Sequence, residues 1–309
     1  MITAEEYWAT QQTEGQLLDG AIDLHAHSYP EFTLDYRPRM SVLSWLQLAA
    51  EAKMAAVVLK SHISPTTDLA HNLGELVKPL KVYGGVALNW TVGGLNPLAC
   101  DVAGESGGKI VWMPTWSSAN DLSKAKLFLA RMKKFLKVLD TTEIQGIRIL
   151  DDRSRLLPEV EEILEICSWH DMIVGSGHLS IEESLVLAKR ASEKGLKFLL
   201  NHPLNGSVGA PIEAQKQIAQ MGGYVEHCFI TTMPMHNRLD PRRIVEAIEA
   251  VGPEQCVIST DSIQAWNPPE PEVMRMFIGT LLEMGMDEAV IRRMACDNPR
   301  QLLGLEGDA

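Results

Sequence analysis

The stretch AIDLHAHSYPE, Ala21 to Glu31, governs the reading of the whole chain. It opens as a short apolar run and carries two histidines, His25 and His27, two residues apart. In an extended strand that spacing puts both side chains on one face. If the strand belongs to a closed parallel sheet, that face is the interior of a barrel. One His-x-His can also be incidental, so the rest of the chain has to decide.

Strand-like runs alternate with helical patterns along nearly the full length. The runs are Ala21–His27, Ala55–His62, Lys81–Asn89, Lys109–Trp116, Met172–Gly177, Lys197–His202, Tyr224–Ile230 and Cys256–Thr260. Most are apolar without polar alternation, as expected of strands covered on both faces. Between them, helices are predicted over Ser41–Met54, Leu122–Leu139, Pro158–Trp169, Ser184–Lys194, Pro211–Met221, from Asp240-Pro241 onward, and over Glu272–Met284. Ser180 and Glu183 form a capping box ahead of the fourth of these. A last helix starts at Asp287 and is expected to be interrupted at Asn298-Pro299.

Alternation of this kind predicts a parallel α/β fold. Eight units suit a (β/α)8 TIM barrel better than an open dinucleotide-binding sheet, because no G-x-G-x-x-G follows the first strand. A ninth run, Gln145–Leu150, reads either as part of a small β-hairpin inserted around 144–157 or as strand four itself. Residues 1–20 are taken as an N-terminal extension and 21–309 as one barrel domain.

Composition narrows the function. The 309-residue chain is 46% hydrophobic, enough for a large core, and its net charge of −12 argues against nucleic acid or an anionic membrane as partner. No run of about 18 apolar residues marks a transmembrane helix, and MITAEEYWATQQTEG is not a secretory signal. Five scattered cysteines without C-x-x-C fit buried thiols in a reducing, cytoplasmic setting. A small-molecule substrate is expected, with homo-oligomer assembly left open.

Ionisable residues gather where the strands end. His25 and His27 end strand one, Lys60 and His62 strand two, His178 strand five, His202 strand six and Asp261 strand eight, with Glu226 and His227 in strand seven. In a barrel these ends converge on one face, where active sites lie. Buried ionisable groups there need a partner, and one divalent cation serves them all. Several imidazoles and a carboxylate suit zinc, manganese, iron or nickel better than magnesium or calcium. Such an ion activates a water, and Asp261 is placed to take its proton.

The ordered set DLHAH, GHLS, NHP and STDS, closing with MACDNPRQLLGL, resembles the amidohydrolase superfamily of metal-dependent hydrolases over roughly Gly20 to Leu305. The resemblance implies His25 and His27 as ligands of the more buried metal site, His178 as a ligand of that site or of a second one, His202 as a second-metal ligand or the group that polarises water and substrate, and Asp261 as ligand and general base. Two-metal members usually carry a bridging Lys or Glu at the end of strand four. Here that strand reads KIVWMPTW, without one. Asp151 would serve if QGIRIL were strand four, and Lys60 would serve only as a carbamate. One zinc-like ion is therefore expected, with two as the alternative.

Lys60, His62 and Glu226 are expected to bind substrate, with Glu226 rather than His227 facing inward. The implied activity is hydrolysis of a small amide, cyclic amide, ester, lactone or phosphoester. The alternatives are metal-dependent decarboxylation of a small carboxylic acid and a non-catalytic metal-binding barrel.

Overall fold

The computed structural model describes residues 3–31, 38–124, 145–262 and 264–305. Nine short strands run parallel: β1 (Ile22–His27), β2 (Ala56–Lys60), β3 (Lys81–Tyr83), β4 (Gly85–Ala87), β5 (Ile110–Trp112), β6 (Ile173–Gly175), β7 (Phe198–Asn201), β8 (Tyr224–Cys228) and β9 (Cys256–Ser259). They form two ladders, β1-β2-β3 and β4-β5-β6-β7-β8-β9. β3 and β4 are one run interrupted at Gly84, where a Cβ would come within 2.6 Å of the Thr66 backbone. The nine pieces are thus eight barrel strands. At the opposite junction the Asp261 N–H donates to the His25 carbonyl at 2.9 Å. The Asp23 carboxylate there accepts from the Thr260 N–H at 3.2 Å and from its hydroxyl. The architecture is the expected (β/α)8 barrel.

The outer layer holds α1 (Ala4–Leu18), α2 (Val42–Glu51), α3 (Thr67–Gly74), α4 (Pro97–Glu105), α5 (Ala119–Lys124), α6 (Pro158–Trp169), α7 (Ile181–Glu193), α8 (Ile212–Gln220), α9 (Arg242–Val251) and α10 (Glu270–Glu283). The Ser180–Glu183 capping box is present at α7. Most of the helix expected over Leu122–Leu139 lies outside the described residues. The N-terminal segment is the helix α1, tied to α10 by an ion pair between Glu14 and Arg275.

One expectation is corrected. Asn298-Pro299 does not interrupt the last helix. α11 (Glu288–Arg292) passes through a π-helical turn, Arg293–Asp297, into α12 (Asn298–Leu303). Pro299 lies in the first turn of α12, where its missing N–H costs little. Asn298 Nδ2 donates to the Pro253 and Cys256 carbonyls at 2.7 and 2.6 Å, fastening the helix below β9.

Strand four is β5, within the expected run Lys109–Trp116. Of the two readings of Gln145–Leu150, the structure has the small inserted hairpin, closed by an antiparallel bridge between Leu150 and Leu156. Asp151 lies in its turn and pairs with Arg155 at 2.7 Å. It is no bridging ligand.

The barrel interior is built in layers. Ile22, Leu24, Ala56, Val58, Ile110, Trp112, Ile173, Leu199 and Val257 form a dry cluster, closed by Leu302, Leu303 and Leu305 from the C-terminal end. Their side chains leave the upper interior to polar groups. β1 makes the change by a register irregularity between Asp23 and Ala26. Such a bulge shifts the alternation by one residue. Ile22 and Leu24 therefore point into the lower core, and His25 and His27 into the upper interior.

Candidate metal and catalytic site

Strained or glycine-dependent backbone positions the histidines and Asp261. Gly177, at φ +57°, lets the end of β6 lie against β5; a Cβ there would stand 2.2 Å from the Met113 carbonyl oxygen. This places His178. His202 and Asp261 themselves adopt φ values of 30° and 53°. Non-glycine residues are uncommon there and gather at functional sites.

The two histidines of the opening motif are each gripped from behind. His25 Nδ1 lies 2.9 Å from Glu226 Oε2, and His27 Nδ1 lies 3.2 Å from Glu31 Oε2. A carboxylate accepts, so each Nδ1 carries a proton and each Nε2 points the other way. Both Nε2 atoms converge on one oxygen, Asp261 Oδ1, at 3.2 Å from His25 and 2.9 Å from His27. Two ring nitrogens facing a carboxylate oxygen need a positive charge among them. A proton serves one such contact; a dication serves all three atoms.

The electrostatics agree with that donor set. Burial works against charge on Asp261, yet the neighbouring His25, His27 and His202 hold its carboxyl well below the usual range. Glu226 behaves likewise: burial is overcome by His25, Asn201 and Ser259, and its pKa falls to about 2. His27 is raised, because hydrogen bonds to Asp261 and Glu31 outweigh its burial. A proton and a metal ion would therefore compete for His27 Nε2. Asp23 is pushed up to about 6 by burial, against its hydrogen bonds from Thr260 and His25.

Lys60 is fully buried beside them. Its Nζ lies 2.8 Å from His25 Nε2 and 5.6 Å from the centre of the Trp112 ring. Burial lowers its pKa, opposed by Asp261, Glu226 and Glu31. The His25 lone pair that accepts from Lys60 is the one a metal would use, so it serves only one of them at a time. The carboxylates of Asp261, Glu226 and Glu31 gather around the rings of His25 and His27 and the single side-chain amine of Lys60. The residues present therefore fit a divalent cation.

The remaining expected residues adjoin this centre without entering it. The His202 ring centre is 5.5 Å from His25, and that of His178 is 4.8 Å from His202. His178 Nδ1 is 3.3 Å from Asp121 Oδ2, a third buried carboxylate behind an imidazole. His202 Nδ1 has no hydrogen-bond partner among the described residues, and burial holds the ring's pKa well below the ordinary value. Among the described residues, neither histidine joins His25, His27 and Asp261 in a group tight enough to share one ion. His62 stacks on Trp116 at 4.4 Å and lies 4.7 Å from His27.

Glu226 does face inward, but not toward a substrate. It is fully buried, and its two oxygens are taken by His25, by Asn201 Nδ2 at 2.8 Å and by Ser259 at 2.8 Å. It supports His25. His227 points away, into a small space lined by Leu204, Thr231 and Ile244, and among the described residues neither of its ring nitrogens is hydrogen-bonded.

Sequence reasoning missed Glu31, Asp121, Asn89 and Thr115. Glu31 had a signal: it follows His27 by four residues within the opening stretch. The other three arrive from a loop, a strand end and the short helix α5, and their partners are distant in sequence.

A family model described as a family of unknown function, DUF6282, matches residues 20–226. The chain belongs to this family. The matched span includes all the candidate residues except Asp261. No match is found among curated proteins. Solved structures share the fold at low identity. An amidohydrolase from Pseudomonas aeruginosa is 12% identical with a TM-score of 0.59, over 96% of this chain and 99% of its own. A probable 2-pyrone-4,6-dicarboxylic acid hydrolase from Acinetobacter baumannii is 14% identical, TM-score 0.57, over 92% and 99%. A 2,6-dihydroxybenzoate decarboxylase from Rhizobium is 13% identical, TM-score 0.51, over 94% and 100%. Like these, the DUF6282 chain has a (β/α)8 barrel.

Proposed function

We propose that this DUF6282 chain is a metal-dependent hydrolase of the amidohydrolase type, acting on a small amide, cyclic amide, ester, lactone or phosphoester. One observation carries the reading: His25 and His27, each with Nδ1 fixed on a buried carboxylate, turn Nε2 to the same oxygen of Asp261. A carboxylate behind a histidine is the common second layer of metal sites, where it sets the tautomer and the ring orientation. His25, His27 and Asp261 would hold one divalent transition metal, zinc most readily. When bound, that ion supplies Lewis acidity that makes water nucleophilic near neutral pH.

The protein's own groups do the rest. Asp261, ionised at neutral pH, accepts the proton of the attacking water and returns it to the leaving group. His202, neutral and next to His25, polarises the scissile group. His178, with Nδ1 3.3 Å from Asp121 Oδ2, borders the same space. Lys60, with Nζ 2.8 Å from His25 Nε2, is placed to meet an anionic substrate.

Decarboxylation of a small carboxylic acid is the second reading. It is favoured by the fold shared with the 2,6-dihydroxybenzoate decarboxylase and by the absence of a carboxylate or lysine at the end of β5. Turnover in water enriched in heavy oxygen separates the two: label entering the product supports hydrolysis, and carbon dioxide release without label supports the lyase. Asp261→Asn is expected to lower kcat by at least 100-fold in the hydrolytic reaction. Near-normal turnover by that variant would remove Asp261 as the base.

A further inference from the structure

Asn89 starts a chain of hydrogen bonds whose direction decides which nitrogen of His62 carries a proton. The backbone N–H groups of Thr115 and Ser117 donate to Asn89 Oδ1 at 3.0 and 3.1 Å. Two backbone donors on one atom fix the amide's orientation. Nδ2 is therefore the atom that faces Thr115 Oγ1 at 2.7 Å, and it also donates to the His62 carbonyl at 3.0 Å. Thr115 is fully buried, and its hydroxyl lies 2.8 Å from His62 Nδ1. That nitrogen is the hydroxyl proton's one acceptor among the described residues. If Nδ1 were protonated, the hydroxyl would meet two donors and its own proton would be buried unpaired, at a cost of ~1–3 kcal/mol. The arrangement that satisfies every group runs from Asn89 N–H to Thr115 O–H to His62 Nδ1.

We propose that His62 is locked as the Nε2–H tautomer and is the site's neutral hydrogen-bond donor to a substrate carbonyl or carboxylate oxygen. The contrast with the opening motif supports this. Carboxylates, which only accept, stand behind His25 and His27 and leave their Nε2 atoms free as ligands. A hydroxyl already filled by an amide N–H stands behind His62 and leaves its Nε2 a donor. His62 is thus not a cation ligand, although it comes together with His27 and Glu31.

The ring is placed for such work. Its centre lies 4.7 Å from His27 and 6.1 Å from His178, with Trp116 stacked against it. Its backbone N–H is clamped by both oxygens of Glu31, at 2.7 and 3.1 Å. Burial, with Lys60 and His27 nearby, holds its pKa well below the ordinary histidine value. A neutral donor aimed at an oxygen that gains charge stabilises the transition state more than the ground state.

The tautomer stands on hydrogen-bond geometry alone; the identity of the acceptor rests on the proposed function. NMR of the full chain with nitrogen-labelled histidine, with His62 assigned through His62→Gln, reads the tautomer directly. The expected spectrum has Nε2 protonated and Nδ1 bare. Thr115→Val is expected to convert it to a mixture. A wild-type spectrum with Nδ1 protonated would overturn the proposal, and so would loss of bound zinc in folded His62→Leu.

With an amide or ester substrate, His62→Leu is expected to lower kcat by about 100- to 1000-fold with little change in KM. His62→Gln, which keeps a donor in a similar place, should retain at least tenfold more. Equal losses in both variants would remove the donor role. A protein with the Nε2–H signal and bound zinc, but no hydrolysis of any such substrate, would sink the hydrolytic reading and still support the tautomer.

Discussion

At the residue scale, the site is a set of imidazoles sorted by what stands behind each ring. Glu226, Glu31 and Asp121 stand behind His25, His27 and His178; Thr115 stands behind His62. Removing such a carboxylate typically costs 10- to 100-fold in metal affinity. Glu31→Gln and Glu226→Gln are therefore each expected to weaken zinc binding by about that factor, measured by competition with a chromophoric chelator. Unchanged affinity in both would show that the carboxylates merely fill space. Much of this layer is not legible in the sequence. His25, His27, His178, His202 and Asp261 are legible because each follows an apolar run that must be a buried strand. Asp121 sits in the first turn of the short helix α5 and Asn89 in a loop, where such side chains are ordinary, and only the folded chain reveals which ring each one meets. Glu226 could be assigned to the interior but not to its task, since adjacency in sequence says nothing of Asn201 and Ser259.

At the element scale, each strand delivers its ligand through a local departure from regular geometry. The irregularity in β1 turns two histidines inward, and the glycine after β6 brings His178 to the mouth. Gly177→Ala combines a positive φ with a Cβ 2.2 Å from a carbonyl oxygen. It is expected to destabilise the fold by more than ~1 kcal/mol, read by urea denaturation. A neutral result would mean that β6 shifts freely against β5. β8 carries a different liability. His227 is buried with both ring nitrogens unpaired, and burial lowers its pKa from 6.5 to about 4. A depressed pKa gives stability that is present above 6.5 and lost as pH falls through about 4, a difference on the order of 3 kcal/mol. His227→Leu should flatten the stability profile across that window without loss at neutral pH. An unchanged acid profile would remove His227 as its cause. The strands were readable from their apolar runs, whereas α1, α3 and α4 were not. α1 is rich in Glu, Gln and Thr and shows no clear apolar stripe, so only its packing on α10 reveals its place.

At the scale of the whole molecule, the barrel separates stability from chemistry. Apolar side chains fill the lower interior, closed by Leu302, Leu303 and Leu305, and the upper interior gathers the charges. The eightfold alternation of strand and helix made this architecture legible. The break of the third strand at Gly84 and the continuation of the last helix through a π-helical turn were not legible, because both depend on contacts with distant backbone. The central claim is that this upper interior is a divalent-metal site whose ligands include His25, His27 and Asp261. Crystals of protein expressed in zinc-replete medium test it directly, through anomalous diffraction measured on both sides of the zinc edge. The account predicts one dominant peak within bonding distance of His25 Nε2, His27 Nε2 and an Asp261 oxygen, with Lys60 turned away from His25. Full-length, folded protein with no peak there, and Lys60 still on His25 Nε2, would contradict it.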